Sequence, residues 1–540
     1  MSAVIDSTRD LSQDLLASVL LSALWAIPML VIGTHGEFPL NDDWAYAKTT
    51  QVFLETGRFV RDAWTFAPIV THVGLGALFA TLFGFSFETL RLSGLFMGWV
   101  GLLASFWFFR QVGSGRATSL LGALVVGFNP IYLNLSYTFM TDVPFTALAI
   151  GSLLLLARGL ADRRWPALAG GLCLAVGASL SRQPGVAIAI ALFVAVGVSH
   201  RAWLRRRWLP VAGLAGLAVA AAALLLASGA APGSYSLEMA SDVPGLARRV
   251  GENAFGAFAY LGLFLSPLVA LALASNARLG RGFAIAGAAS AVALLVLTLL
   301  DLRMPVGANV LYDLGLGPPT LHGAQALPGA PPWVWWILTA IAMGGGMFGA
   351  ALIARETWTH HLARRPERIL LLAFPLVYLV PLFAVPNFFD RYLLPVLAPL
   401  AAVLLTPHDR PLRPSRAAHA LGFALVVPLA LFGVLGTRDY LEHNRARWAL
   451  LEPLIERGVR GDNIDAGFEV DGWSGLHPAV VWQKRQQELD RDAHFLVSHL
   501  GPRNLPGYRL VETRSYQRLL PPREEVIGLY ERDDPRAKPR

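Results

Sequence analysis

Hydrophobic residues in this chain form long runs, separated by polar segments that are rich in arginine. Runs of roughly 17–25 apolar residues are long enough to cross a bilayer as helices. Thirteen candidate spans, several of them short, lie near residues 15–33, 87–109, 117–133, 143–158, 166–181, 186–200, 209–228, 253–274, 282–300, 333–353, 369–385, 393–406 and 418–436. The pattern predicts a polytopic membrane domain over residues 1–436.

The last part of the chain has a different pattern. Residues 440–457 carry apolar side chains at helical spacing. Short strand-like runs follow at residues 464–470, 494–500, 508–513 and 526–530. This mixture predicts a small α/β domain over residues 437–540. The predicted fold class is therefore an all-α polytopic membrane protein, with about 13 transmembrane helices and a small C-terminal α/β extracytoplasmic domain.

Composition supports a membrane protein. Of the 540 residues, 54% are hydrophobic and 15% are charged, whereas a soluble domain carries about 25% charged residues. This balance excludes an ordinary cytosolic enzyme, a disordered chain and a nucleic-acid-binding protein. Because Cys173 is the only cysteine, a disulfide scaffold is excluded as well.

The distribution of basic residues along the chain predicts the orientation of the protein in the membrane. The net charge of +8 comes from residues before position 437, since the tail has 17 basic and 17 acidic side chains. If the N-terminus is cytoplasmic, 19 of the 28 basic residues of the membrane domain fall on inside loops. Positive charges are retained on the cytoplasmic side. We therefore expect a multi-pass protein of a bacterial inner (plasma) membrane, with the C-terminal domain in the periplasm or outside the cell.

The first outer segment, residues 34–86, places two adjacent carboxylates, Asp42 and Asp43, just after an apolar span. Helical patterns follow them, one through Glu55 and one from Thr71 to Phe83. Neighbouring carboxylates repel unless they meet water, a cation or a proton-transfer task. A helix N-cap would explain one of them but not both. We therefore interpret both as candidate catalytic residues.

Further ionisable groups lie at the same outer level. Asp142 begins a span after a short second outer loop, where N-capping is the simple alternative. Arg182 interrupts an apolar stretch, and Arg391 with Tyr392 precedes a late span. An arginine there could grip a phosphate with its planar fork. Snorkelling, or an ion pair between Arg391 and Asp390, is the structural alternative.

Several motifs are missing. The chain has no Walker A lysine motif, no GxGxxG after a strand and no GxSxG elbow. Chemistry at the outer face therefore favours a donor that already lies in the outer leaflet. No metal-ligand spacing such as HExxH occurs, so no metal ligands and no certain cofactor are assigned, although a divalent cation remains an option.

Four sequence elements together resemble the GT-C membrane glycosyltransferases, which include the protein O-mannosyltransferases and the bacterial lipid A aminoarabinose transferases. Asp42-Asp43-x-x-Tyr46 resembles their Asp-Glu-x-x-Tyr element. The others, in matching order, are residues 83–92, Asn129-Pro130 with residues 140–144, and residues 390–395. The similarity covers most of residues 15–405, and the outer C-terminal domain resembles the layout of the bacterial members.

The resemblance implies an inverting glycosyltransferase that moves a hexosyl or pentosyl group from a polyprenyl-phosphate-linked donor to a hydroxyl acceptor. The acceptor would be a lipid, a glycan or a protein. By motif position, Asp42 would be the base, and Asp142 would orient a substrate. Arg391 and Arg182 would bind the phosphate, with Tyr392 beside them, and Tyr46 would stack on sugar. Membrane lipid is an expected partner and nucleic acid is not.

The chain departs from the family in two places, and two rival functions stay open. Residues 66–68, Phe-Ala-Pro, lack the lysine of a Lys-Pro-Pro element that is common in the bacterial members, and Asp43 replaces a glutamate. One rival is a transporter or flippase for a lipid-linked glycan, which would need charged residues in mid-span. The other is an assembly subunit. Convergence of Asp42, Asp142 and Arg391 in one outward cavity would favour the transferase.

Overall fold

A computed structural model describes residues 2–199, 242–275, 281–307, 309–313, 315–324, 329–357, 365–406, 412–475 and 493–533. The predicted span at 209–228 lies outside the described residues. The other twelve predicted spans coincide with helices. In chain order the helices up to the C-terminal domain are α1 (Ser2–Ile32), α2 (Asp43–Thr56), α3 (Val70–Phe83), α4 (Phe87–Gln111), α5 (Arg116–Gly127), α6 (Pro130–Ser136), α7 (Asp142–Asp162), α8 (Trp165–Ser181), α9 (Val186–Ser199), α10 (Val243–Ser275), α11 (Arg281–Leu299), α12 (Pro332–Thr357), α13 (Pro366–Leu382), α14 (Leu394–Leu405) and α15 (Arg416–Glu456).

These helices confirm the all-α polytopic fold class. Among the described residues, seven helices are long and apolar enough to cross a membrane: α1, α4, α7, α10, α11, α12 and α15. Helices α5 and α6 form an eighth span if they are counted together, with a bend of 62° between them. Pro130 starts α6, and the Asn129 side chain caps it, so a new helix begins at the bend. The remaining predicted spans, α8, α9, α13 and α14, are helices of 12 to 17 residues.

The first outer segment contains the two predicted juxtamembrane helices, α2 and α3. Helix α2 ends at Gly57, whose left-handed conformation suits glycine. Buried Arg91, near the start of α4, holds this segment in place. Its guanidinium donates hydrogen bonds to backbone carbonyls of Thr34 (2.5 Å), Phe38 (3.2 Å) and Tyr137 (3.0 Å). The first and second outer loops are therefore fixed against each other.

The C-terminal domain is α/β, as predicted. Its four-stranded sheet follows two short antiparallel strands, β1 (Leu311–Tyr312) and β2 (Gly315–Leu316), which lie before α12. The order of the sheet is β3 (Ile464–Asp465), β4 (Phe495–Ser498), β6 (Pro522–Arg532) and β5 (Tyr508–Leu519). Strands β3 and β4 are parallel and the other pairs are antiparallel. Helix α15 runs without interruption through the predicted domain boundary at 436–437.

One predicted strand is wrong beyond its first two residues. The run at 464–470 forms β3 only as far as Asp465, and helix α16 (Phe468–Trp473) follows. Gly467 has φ 93°, a conformation that ends the strand and that other residues rarely adopt. The chain therefore turns at Gly467 towards the first outer segment, against which α16 packs.

Candidate active site

The first outer segment presents Asp42 at the start of α2. Asn41, just before it, adopts a left-handed conformation with φ 57°. Asp42 occupies the N-cap position, but its side chain makes no capping hydrogen bond. Its Oδ1 instead accepts a hydrogen bond from the indole Nε1 of Trp64 at 3.0 Å. Its other oxygen faces the interior of the site, so the N-cap alternative does not account for this carboxylate.

Asp43 has a different environment. Its Oδ1 accepts a hydrogen bond from the Leu40 backbone N–H at 2.6 Å, and its Oδ2 accepts one from the Phe139 N–H at 3.1 Å. Burial raises the pKa of Asp43 to about 8, although both N–H groups oppose the shift. Because each oxygen binds the backbone of an outer loop, this geometry suits a structural link between the loops.

Asp142 and Arg182 meet where α7 begins and α8 ends. Asp142 is the first residue of α7, and Arg182 lies between α8 and the 3-10 turn Gln183–Gly185. The guanidinium Nη1 of Arg182 donates to Oδ1 of Asp142. The Asp142 side chain is 3% exposed. A carboxylate this deeply buried requires a cationic partner, and Arg182 supplies it.

Arg391 lies between the carboxylates of Asp42 and Asp142. It lies in the 3-10 turn Asp390–Leu393, and its side chain is 8% exposed. Its Nη2 is 3.6 Å from Oδ2 of Asp42, and its Nη1 is 3.9 Å from Oδ2 of Asp142. Within the described part of the chain, Nε and Nη1 of Arg391 and Oδ2 of Asp142 have no hydrogen-bond partner. The site therefore holds buried donors and an acceptor that a ligand could satisfy.

Aromatic rings surround the arginines. The Arg391 guanidinium lies 5.0 Å from the ring centre of Phe389, and that of Arg182 lies 5.1 Å from the ring centre of Tyr392. Tyr46 is one turn after Asp42 on α2 and is partly exposed. Burial raises the pKa of Tyr46, the Asp42 carboxylate raises it further, and Arg391 lowers it. The Tyr46 hydroxyl is therefore close to the charged cluster.

The ion pair between Arg391 and Asp390 is not the arrangement observed. The Asp390 carboxylate accepts hydrogen bonds from the backbone N–H groups of Val310 and Leu311, at 3.1 and 2.8 Å, and from that of Arg391 at 2.8 Å. Asp390 thus fixes the backbone of the turn. The guanidinium points instead to Asp42 and Asp142.

Six of the predicted site residues lie close together: Asp42, Tyr46, Asp142, Arg182, Arg391 and Tyr392. The Asp43 carboxylate instead binds the backbone N–H groups of Leu40 and Phe139. Sequence reasoning missed Trp64, which binds the Asp42 carboxylate, and Glu469, whose Oε1 accepts the Asn41 N–H at 3.1 Å. Arg91 could have been found from the sequence, because an arginine inside a predicted span usually has a specific role. No local sequence pattern marked Trp64 or Glu469 as part of the site.

Among the residues that the structure describes, no three His, Cys, Asp or Glu side chains group as a metal site. His72, in α3, is buried, and its Nε2 contacts the Phe139 carbonyl oxygen at 3.1 Å. The carboxylates of Asp42 and Asp142 face arginines instead of a third oxygen or nitrogen ligand.

Comparison with known proteins gives a family likeness for part of the chain. Residues 71–226 match the family model described as dolichyl-phosphate-mannose-protein mannosyltransferase. This match confirms the resemblance to GT-C membrane glycosyltransferases that the motifs predicted. No curated protein sequence matches the chain.

Solved structures with low sequence identity are also similar. ArnT from Cupriavidus metallidurans bound to undecaprenyl phosphate is 15% identical, with 97% of this chain and 99% of that chain covered and a TM-score of 0.42. The Archaeoglobus fulgidus oligosaccharyltransferase in the apo form is 16% identical, covering 79% of this chain and 56% of that chain, with a TM-score of 0.39. Arabinosyltransferase EmbB from Mycobacterium smegmatis is 15% identical, covering 85% and 42%, with a TM-score of 0.36.

Proposed function

We propose that the protein is an inverting membrane glycosyltransferase. It moves a hexosyl or pentosyl group from a polyprenyl-phosphate donor to a hydroxyl of a lipid, glycan or protein acceptor at the extracytoplasmic face. One observation supports this most strongly: the buried Arg391 guanidinium lies between two carboxylates, with Nε and Nη1 unpartnered among the described residues. Such a site can take a phosphate without displacing an existing hydrogen bond of those atoms.

The reaction needs one base and one leaving-group clamp. Oδ2 of Asp42 takes the proton of the acceptor hydroxyl. The acceptor oxygen forms a bond to the anomeric carbon as the bond from that carbon to the phosphate oxygen breaks, and its electron pair stays on the phosphate. Asp142 is paired with Arg182 and therefore orients a substrate instead of attacking the sugar. A single displacement inverts the anomeric centre.

The negative charge that develops on the departing phosphate explains why arginines lie in the site. The donor phosphate is a diester with one negative charge, and the departing polyprenyl phosphate gains a second. Arg391, with Arg182 close by, interacts more strongly with the transition state than with the bound donor, which is the requirement for faster turnover. Tyr46 lies one helical turn beyond the base and would stack on the sugar.

The proposal is tested by incubating purified protein with a panel of polyprenyl-phosphate-linked sugars and hydroxyl acceptors. Transfer by the wild type and its loss in Asp42→Asn are expected, with equal melting temperatures. Absence of transfer with every donor, together with movement of lipid-linked glycan across proteoliposomes, would favour the flippase instead.

A further inference from the structure

The C-terminal domain contacts the turn that carries the proposed base. Glu469, in α16, is fully buried. Its Oε1 accepts the N–H of Asn41, the residue directly before Asp42, at 3.1 Å. Because Asn41 has a left-handed backbone conformation, which costs energy for a residue other than glycine, this acceptor stabilises the turn that aims Asp42.

Glu469 is itself held from two further directions. Its Oε2 accepts hydrogen bonds from Nη2 of Arg447 at 2.8 Å and from the Thr320 hydroxyl at 2.7 Å. Arg447 belongs to α15, and Thr320 belongs to the segment that precedes α12. Three separate parts of the chain therefore converge on one carboxylate, which fixes its position relative to Asn41.

A second contact from the same helix reaches the other side of Asp42. The ring of Phe468 lies 5.3 Å, between centroids, from the ring of Trp64. Trp64 is the residue whose indole N–H binds Oδ1 of Asp42. Two neighbouring residues of α16 thus act on the base, one through the Asn41 backbone and one through the Trp64 ring.

Close packing makes this contact sensitive to small changes. Gly472 lies so close to the Trp44 ring that a Cβ at this position would clash with the ring carbons. The Gly472 carbonyl oxygen accepts a hydrogen bond from Lys48 Nζ at 2.7 Å. Helix α16 and α2 therefore fit together in one relative position.

We infer that α16 of the C-terminal domain is a positioning element of the active site, with Glu469 as its principal positioning residue. This inference rests on the proposed function of Asp42. Glu469 acts on the orientation of the base and not on the phosphate clamp. Its removal is therefore expected to change turnover much more than donor affinity.

The test is Glu469→Gln in the full-length protein. Glutamine keeps the shape but replaces one acceptor oxygen with a donor group, so Asn41 or Arg447 loses its partner. We expect kcat to fall about 10–100-fold, since small misplacements of reacting groups have effects of this size, while donor KM stays within about twofold. A shift in the pH profile of kcat should accompany the loss.

A matched control is Glu525→Gln. Glu525, on β6, is also buried and pairs with Arg518 and Arg523 within the C-terminal domain. We expect it to lower the melting temperature while kcat remains normal. If Glu469→Gln lowers only the melting temperature, as Glu525→Gln does, Glu469 is merely structural and the inference is wrong.

A second variant tests the same inference if Glu469→Gln does not fold. Phe468→Leu keeps an apolar side chain but loses the ring contact to Trp64, so kcat should fall with donor KM unchanged. Normal kcat in Phe468→Leu, with either normal kcat or no folded protein for Glu469→Gln, would overturn the inference. Because wild-type transfer is measured in the same assay, loss of the proposed function itself would appear as an inactive wild type.

Discussion

Replacement of Arg391 tests whether its side chain binds the phosphate of the donor. Its Nη1 and Nη2 lie 3.9 and 3.6 Å from carboxylate oxygens of Asp142 and Asp42, beyond hydrogen-bond distance. In Arg391→Ala the leaving phosphate loses its nearest unpartnered donors. Arg391→Lys keeps a charge but loses the planar fork that matches phosphate geometry.

The expected magnitudes follow from the kind of interaction removed. Loss of one preorganised donor from a site of developing negative charge costs about 2.7–4 kcal/mol, or about 10²–10³-fold in turnover. Arg391→Ala should therefore lower kcat/KM for the donor by about that factor. Lysine loses about one charge-assisted hydrogen bond, worth ~1.5 kcal/mol, so Arg391→Lys should lose about tenfold.

The assay measures donor KM and kcat on purified variants, alongside their melting temperatures. Arg110→Ala is the matched control, because Arg110 forms an ion pair with Asp14 at 2.8 Å at the far end of α4. It should lower stability without changing kcat/KM. Normal kcat/KM in Arg391→Ala would remove Arg391 from the site and make Arg182 the leading candidate. Equal losses of yield, without loss of turnover, in Arg391→Ala and Asp390→Ala would indicate a structural role.

Four further predictions follow from the site and the topology. Asp42→Asn should lower kcat about 10²–10⁴-fold with normal membrane insertion; if it keeps full activity while Asp43→Asn abolishes transfer, the base is the neighbouring aspartate. The pKa of Asp43 is raised from 3.8 to about 8, so its contribution to stability is complete below pH 4 and is lost as the pH rises to about 8. The melting temperature of the wild type relative to Asp43→Asn should therefore decrease between pH 5 and pH 8, whereas a constant difference would mean that Asp43 does not titrate there. Transfer should survive chelation of divalent cations, because arginines neutralise the carboxylates; activity that disappears with chelator and returns with added metal would contradict this. Arg206→Cys should react with a membrane-impermeant thiol reagent only from the cytoplasmic side, and a reporter fused after Arg540 that is active only in the cytoplasm would reverse the orientation.

Much of the membrane architecture was predictable because a bilayer imposes a simple length rule on apolar runs. The convergence of the charged side chains was predictable to a similar degree. Asp142, Arg182 and Arg391 are far apart in sequence, yet each lies at the end of a helix on the same side of the domain. A charged side chain at membrane level is costly to bury without a partner of opposite charge. These side chains are therefore expected to converge.

Motif position favoured Asp42 over Asp43 as the base, but the different environments of the two carboxylates were not predictable from the sequence. The two carboxylates are adjacent, and they separate only because Asn41 turns the chain and the Phe139 N–H, from a distant loop, binds Asp43. Glu469 was equally inaccessible, since it is 428 residues from its partner Asn41 and lies in a run that has the pattern of a strand. Tertiary contacts of this kind leave no periodic signal.

Purified protein reconstituted in proteoliposomes distinguishes a glycosyltransferase from a flippase, because transfer and transport are measured on the same sample. The vesicles contain a polyprenyl-phosphate-linked sugar, and a hydroxyl acceptor is supplied outside. We expect a glycosylated acceptor of inverted anomeric configuration, one polyprenyl phosphate released per sugar transferred, and about 10²–10⁴-fold less of both products with Asp42→Asn. A product that retains the donor configuration, or lipid-linked sugar that crosses the bilayer intact in the wild type and in Asp42→Asn alike, would contradict the proposed function.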